Sequence, residues 1–169
     1  MQNLEVKARL RDLAAARSTA QALGAEHRGE LRQTDTYFHV PSGRLKLREI
    51  EGAPAELIIY HRPSLADTRS SDYDLTVVED PRGLARILTR ALGQRVVVRK
   101  VRELWWVDRT RLHLDRVEGL GDFFEFEVEV LSEEDPAPRH ALAARLRQAF
   151  DLTDDRLIAG SYADLLDPR

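Results

Sequence analysis

Read for its alternation of apolar and polar positions, the chain resolves into short strands, turns and a few helices. In residues 3–10, Asn3, Glu5, Lys7 and Arg9 share one face, and Leu4, Val6, Ala8 and Leu10 share the other. The same period of two runs through residues 122–130, where Glu125, Glu127 and Glu129 alternate with Phe124, Phe126, Val128 and Val130. Further strands are expected over 31–40, 44–48, 56–62, 72–79, 95–102, 104–108 and 111–117. Gln33, Asp35 and Tyr37 fall in phase, as do Lys46 with Arg48, Lys100 with Arg102, and Arg111 with His113 and Asp115.

Helices interrupt this pattern where the period changes. Asp12 is a candidate N-cap for a helix with Leu13, Ala16, Ala20 and Leu23 in stripe, which Gly24 ends. Asp80-Pro81 opens a second helix with Leu84, Leu88, Ala91 and Leu92 facing a core, and Gly93 closes it. A third follows Pro136 and Pro138 as far as Phe150, and a last helical segment is expected over 154–166. Residues 63–71 are polar and unpatterned, and read as a loop. The count is about eight strands, mostly in hairpins, with three or four helices and no internal repeat.

The amphipathic helices need an apolar surface to cover, and the apolar strand faces are the available one. The opposite, charged faces are then either the open side of a sheet or the lining of a closed one. Roughly eight antiparallel strands suffice to close a barrel, and closure also removes exposed edges. The expected fold is therefore α+β, an eight-stranded antiparallel β-barrel or tunnel with helices packed on its outside, formed by one domain over residues 1–169. A solvated outer face is the alternative. In a dry core such a lining would cost several kcal/mol per ion, on the order of what each charge loses in leaving water. In a wet bore it is suited to a ligand with many negative charges and to divalent metals.

Composition narrows the partners. Lysine and arginine number 26 against 29 aspartate and glutamate, so there is no global basic field and no nucleic-acid partner is expected. With no cysteine, thiolate metal sites and disulfides are excluded. No apolar run approaches the ~18 residues of a membrane span, so a cytoplasmic protein without a membrane partner is expected. The histidines lack zinc-type spacing. His113 alone falls on a charged face, as a candidate hydrogen-bond partner for phosphate. Trp105 and Trp106 must point to opposite sides of one strand, so at most one of them is core and the other is free to stack on a base.

Asn3-Leu4-Glu5-Val6-Lys7 resembles the Glu-x-Glu-x-Lys signature of the CYTH family, the triphosphate tunnel metalloenzymes. That family includes class IV adenylate cyclases and thiamine triphosphatase. Gly43-Arg44-Leu45-Lys46-Leu47-Arg48-Glu49, Lys100-Val101-Arg102, and Gly119-Leu120-Gly121 leading into Glu125-Phe126-Glu127 are also similar to family motifs, and occur in order. Ser161-Tyr162-Ala163-Asp164-Leu165-Leu166 resembles the C-terminal helix of the cyclase-like branch.

The resemblance implies that Lys7, Lys46, Arg48, Lys100 and Arg102 contact phosphates, with Lys7, Arg48, Lys100 and Arg102 as the candidate catalytic cations. Arg62, Arg111 and His113 join the candidate triphosphate-binding set. It implies Mg2+ or Mn2+ on Glu5, Glu125 and Glu127, with Asp115 beside them. The implied reaction is conversion of ATP to cyclic AMP and pyrophosphate. The same lining would serve a triphosphatase acting on inorganic triphosphate, thiamine triphosphate or a nucleoside triphosphate, or a non-catalytic binder of nucleotide or polyphosphate. A homodimer is implied by the resemblance alone. One departure is Asn3, which stands where the signature has its first glutamate and is a weaker ligand for a hard cation.

Overall fold

The computed structural model describes residues 2–61, 72–130 and 137–168. Eight strands form one sheet: β1 (Gln2–Arg9), β2 (Glu26–Phe38), β3 (Arg44–Ile50), β4 (Ala55–His61), β5 (Asp72–Val78), β6 (Gln94–Val107), β7 (Thr110–Val117) and β8 (Gly121–Val130). Their order is β1-β8-β7-β6-β2-β3-β4-β5, and every neighbouring pair is antiparallel. β1 and β5 end that order, and the sheet curls so that residues from all eight strands line one cavity. This is the eight-stranded antiparallel tunnel-like fold that the alternation predicts.

Residues 95–107, expected with Asp108 as two strands, belong to the single strand β6, and Asp108 begins the turn. Glu103 looks like an interruption in the sequence, but it is buried on the outer face. Arg17, from helix α1 (Leu13–Ala22), reaches it with Nε and Nη2 at 2.5–3.1 Å. The turn from β6 into β7 is correspondingly tight, with Asp108 at φ 50°, a conformation aspartate tolerates. Between β2 and β3, Gly43 has φ 72°, and a Cβ there would lie 2.9 Å from the Tyr60 carbonyl oxygen. Only glycine suits that turn.

The outer face of β1, β8, β7 and part of β6 carries the principal core. Ala8, Trp105, Leu112, Leu114, Phe124, Phe126 and Val128 pack beneath Ala16 and Ala20 of α1 and beneath Ala143 and Leu146 of α3 (Ala137–Ala149). Phe150 stacks on Phe124 with ring centroids 4.0 Å apart. Asp12 caps α1 by accepting from the Ala15 amide, as the sequence suggests. Helix α2 (Pro81–Leu92) is capped by Asp80 but covers little: of its expected stripe Leu84 and Leu88 are half-buried, whereas Ala91 and Leu92 are exposed. It sits against β2 and β3, and its closing Gly93 carbonyl accepts from the His39 amide at the end of β2.

The C-terminal segment also departs from the expected continuous helix. A 3-10 turn at Asp154–Arg156 gives way to extended chain, where Leu157 bridges to Ala8 and the Ile158 amide donates to the Lys7 carbonyl. This covers part of the free edge of β1. Ser161 then starts a new helix, α4 (Tyr162–Leu166), with a capping box to Asp164. Unlike the other helices, α4 packs on the concave side. Tyr162 and Ala163 bury against Tyr37, Ile58, Tyr60, Val98, Val117 and Phe123. Asp164 and Asp167 anchor it through Arg44 at 2.8 Å and Arg95 at 2.9–3.1 Å. The helix closes one end of the bore. No helix among the described residues is long and apolar enough to cross a membrane.

Candidate active site

Directly opposed residues on neighbouring antiparallel strands share a face, so the register decides which charges meet. Lys7 stands opposite Glu125 and Glu5 opposite Glu127 across β1 and β8. His113 faces Glu125 and Arg111 faces Glu127 across β7 and β8, and Arg102 faces Asp115 across β6 and β7. Asp35 faces Arg48 across β2 and β3. All point into the bore. Glu5, Lys46, Arg48, Arg102, Arg111, His113 and Glu127 line a cavity of about 390 Å³.

Within the bore these charges neutralise one another. Asp115, fully buried, accepts from Arg102 Nε and Nη2 at 2.7 Å, from Lys100 Nζ at 3.2 Å and from the Tyr162 hydroxyl at 2.8 Å. Asp35 accepts from Lys46 Nζ at 3.1 Å, from Arg48 at 3.0 and 3.3 Å, and from the Gln33 amide at 3.0 Å. Glu125 receives Arg102 Nη2 at 2.9 Å and lies 3.7 Å from Lys7 Nζ, which is 3.6 Å from Glu5. At the more exposed end Arg111 donates to Glu127 at 2.5 Å. The ammonium groups of Lys7 and Lys100 also lie 4.6 and 5.1 Å from the centre of the Tyr162 ring.

Burial and charge pull the protonation states in opposite directions. Burial pushes Asp35 up, but Lys46 and Arg48 outweigh it and hold the carboxyl below its ordinary range. Asp115 is likewise held low by Arg102 and Lys100 against burial, and Glu125 by Lys7 and Arg102. Burial, against the attraction of Asp35 and aided by Arg48, lowers Lys46 to about 7. Burial and the Arg102 charge press His113 well below the usual imidazole value, so its ring is neutral at pH 7.

Three of these groups converge. Ligand atoms of His113, Glu125 and Glu127 all lie within 4.8 Å of one another, near enough to meet around one divalent ion. His113 Nδ1 is buried and has no hydrogen-bond partner among the described residues. The donor set and this unsatisfied nitrogen fit a bound metal. Glu5 lines the same cavity beside Glu127, outside that trio. Asp115, expected close by the metal ligands, shares Arg102 Nη2 with Glu125 and also accepts from Lys100 and Tyr162, a counter-ion to the bore's cations. Arg62 and the 63–71 loop lie outside the described residues, as do the side chains of Asn3 and Glu129.

Sequence reasoning missed two contributors and left a third undecided between Trp105 and Trp106. Asp35 was legible as a face partner of Gln33, and its buried position under Lys46 and Arg48 makes it the second counter-ion. Tyr162 had no local signal, because its partner Asp115 is 47 residues away. An apolar wall of Leu31, Leu104 and Trp106 borders the charged cavity, with Trp106 40% exposed while Trp105 is in the core. A larger groove, about 740 Å³, runs past Arg32, Glu49, Arg99, Arg116 and Asp122 and reaches Gln33 and Lys100. Its cations and acids are interspersed and solvated, with Arg116 paired to Glu30 at 2.9 Å, so it offers no concentrated charge for a polyanion.

An antiparallel tunnel lined by lysines, arginines and carboxylates has the chemistry to hold a polyanion together with a divalent ion. The chain belongs to the CYTH domain family, whose model matches residues 1–149. It is 23% identical to the Methanocaldococcus jannaschii protein MJ0240, whose name proposes an adenylate cyclase, over 98% of both chains. It is similar in structure to the PH1012 protein of Pyrococcus horikoshii, at 25% identity and a TM-score of 0.82 over 96% of this chain and 98% of that one. The Hippeastrum protein HpAC1, named as a proposed adenylyl cyclase with a dominant triphosphatase activity, shares the fold. Its TM-score is 0.67 at 18% identity, over 97% of this chain and 95% of that one.

Proposed function

We propose that this protein is a metal-dependent adenylate cyclase of the class IV type, converting ATP to cyclic AMP and pyrophosphate within the bore. The observation that favours a nucleotide substrate is the cavity's two-part lining, and the choice of cyclisation follows the name of the M. jannaschii relative. Lys46, Arg48 and Arg102 offer charge for phosphates, and Leu31, Leu104 and Trp106 offer an apolar, aromatic surface for a base. An inorganic triphosphate would have no use for the second part.

In the proposed reaction the ribose 3′ oxygen bonds to the α-phosphorus as the bond from that phosphorus to the β-phosphate bridging oxygen breaks. The hydroxyl proton passes to solvent and pyrophosphate leaves with its charge held by Lys46, Arg48, Lys100 and Arg102. Asp35 and Asp115 keep those cations oriented before substrate arrives, so little reorganisation is needed at the reacting stage. The bore's own carboxylates already neutralise much of its positive charge, so a polyanionic substrate needs an additional cation beside it. Glu125, Glu127 and His113, with Glu5 near them, are the residues that would hold Mg2+ or Mn2+. When bound, such an ion lowers the pKa of a coordinated hydroxyl and neutralises phosphate oxygens.

A triphosphatase is the second reading. It is favoured by the activity in HpAC1's name and by a cation set equally suited to a γ-phosphate attacked by water. Trp106→Ala separates organic from inorganic substrates. Base stacking contributes about 1–3 kcal/mol, so KM for ATP should rise roughly tenfold while any turnover of inorganic triphosphate stays unchanged. An equal change for both would remove Trp106 as a base platform. The product mixture from ATP then divides the readings, since cyclic AMP with pyrophosphate supports cyclisation and orthophosphate supports hydrolysis.

Lys46 makes binding pH-dependent. Below pH 7 it is protonated both free and bound, so no proton accompanies the ligand. Above its lowered value of about 7 the free side chain is neutral, and a bound phosphate restores the ammonium. Triphosphate affinity should therefore fall as pH rises above 7, approaching about tenfold per unit for one linked proton. Calorimetry near pH ~8.5 in buffers of different ionisation heat should read uptake approaching one proton. That uptake should disappear in Lys46→Met; buffer-independent heats in the unaltered protein would exclude this linkage.

A further inference from the structure

We propose that His113 supplies a nitrogen ligand to the divalent-metal site, making with Glu125 and Glu127 a mixed imidazole–carboxylate set that prefers a first-row transition ion such as Mn2+ over Mg2+. The inference deepens the metal-dependent reading above and rests on it. Its ground is the side chain's placement. β7 sets His113 directly opposite Glu125, one alternation along from Arg111 opposite Glu127, so imidazole and carboxylates share the bore face. Their ligand atoms fall within 4.8 Å of one another, and His113 is only 4% exposed.

His113 stands opposite Glu125 on β8 and Leu104 on β6, and its Nδ1 is buried with no hydrogen-bond partner among the described residues. An unsatisfied buried polar atom costs about 1–3 kcal/mol, a penalty that a metal ligand or an acceptor would relieve. The nearby carboxylate of Glu125 is already engaged by Arg102 and Lys7, and that of Glu127 by Arg111. A divalent ion entering among the three groups would take one imidazole nitrogen and offset the carboxylates, freeing their arginines for phosphate oxygens. Ligand chemistry then sets the preference. Mg2+ demands octahedral oxygen coordination and sheds water reluctantly, whereas an imidazole nitrogen favours first-row transition ions, among which Mn2+ is the weakest binder and so the most stringent probe.

Pulsed electron paramagnetic resonance of Mn2+ bound to the whole chain tests this, measured with the metal alone and with inorganic triphosphate, which contains no nitrogen. The expected spectrum shows coupling to one imidazole nitrogen that changes when histidine is labelled with 15N and is missing in His113→Gln. Calorimetry should show Mn2+ affinity falling at least about tenfold in that variant, with Mg2+ affinity changing less than about twofold. Mn2+ bound without nitrogen coupling would overturn the role of His113 and leave the metal-dependent reading standing. Failure to bind Mn2+ under either condition would overturn both. Should His113→Gln fail to give a cooperative thermal transition, the isotope effect in the unaltered protein decides alone.

Discussion

Glu127→Gln is expected to lower metal-dependent turnover by about 10²–10³-fold, comparable to the loss of one preorganised hydrogen-bond donor from a reacting centre. Folding should be barely altered. Among the residues described, Glu127 is partly open to solvent and its one ion-pair partner is Arg111, itself nearly half exposed. The glutamine keeps the shape and one acceptor but loses the charge that a divalent ion requires. Steady-state rates over a Mn2+ titration, beside a thermal melt, check both halves. Unchanged turnover in the folded variant would remove Glu127 from the metal site. Glu125 is the less clean choice, because it also holds Lys7 and Arg102, and its loss would mix stability with activity.

Asp115→Asn should produce the largest stability loss in the bore. Its carboxylate is fully buried and bonded to Arg102, Lys100 and Tyr162, so the neutral amide leaves buried cations short of a counter-charge. Breaking such a pair from one side costs about 3–5 kcal/mol, which for a chain of this size lowers the melting midpoint by roughly 10 °C. The pH dependence has a definite sign. Asp115 is held below its ordinary carboxylate value, so its contribution is complete above that value and is lost as pH falls through the depressed one. The variant should therefore lack part of the acid-induced loss of stability seen in the unaltered protein. Denaturant midpoints across the acid range measure this. Equal midpoints at neutral pH would contradict the assigned counter-ion role.

Much of this architecture was legible because a strand turns alternate side chains to opposite faces. Phe124 and Phe126 had to enter the helix-covered core if Glu125 and Glu127 entered the bore, and they do. The strand boundary wrongly expected near Glu103 has a physical source. A lone carboxylate in an apolar run looks like an interruption until a helix distant in sequence delivers Arg17 to it. Which charges pair was less legible, since that depends on inter-strand register and curl rather than on spacing along one strand. Asp115 thus has the residue type of a metal ligand and the environment of a structural counter-ion. Tyr162 reaches it only because the chain leaves its helical course at Leu157, pairs with Ala8, and restarts at the Ser161 cap.

The same logic separates the two tryptophans. Adjacent on β6, they must diverge, and the register puts Trp105 under α1 and α3 and Trp106 opposite Arg111 at the cavity. Their different surroundings follow from period-two geometry, but choosing which one faced the bore required the sheet.

The central claim is that this bore uses a divalent ion to break the triphosphate of ATP at the α-phosphorus. Phosphorus-31 magnetic resonance of ATP incubated with the protein, with Mn2+ and with a chelator in its place, reads that bond directly. The account predicts cyclic AMP and pyrophosphate appearing together in equal amounts, only with the metal. Orthophosphate and ADP as the sole products, or intact ATP after prolonged incubation with Mn2+, would contradict it.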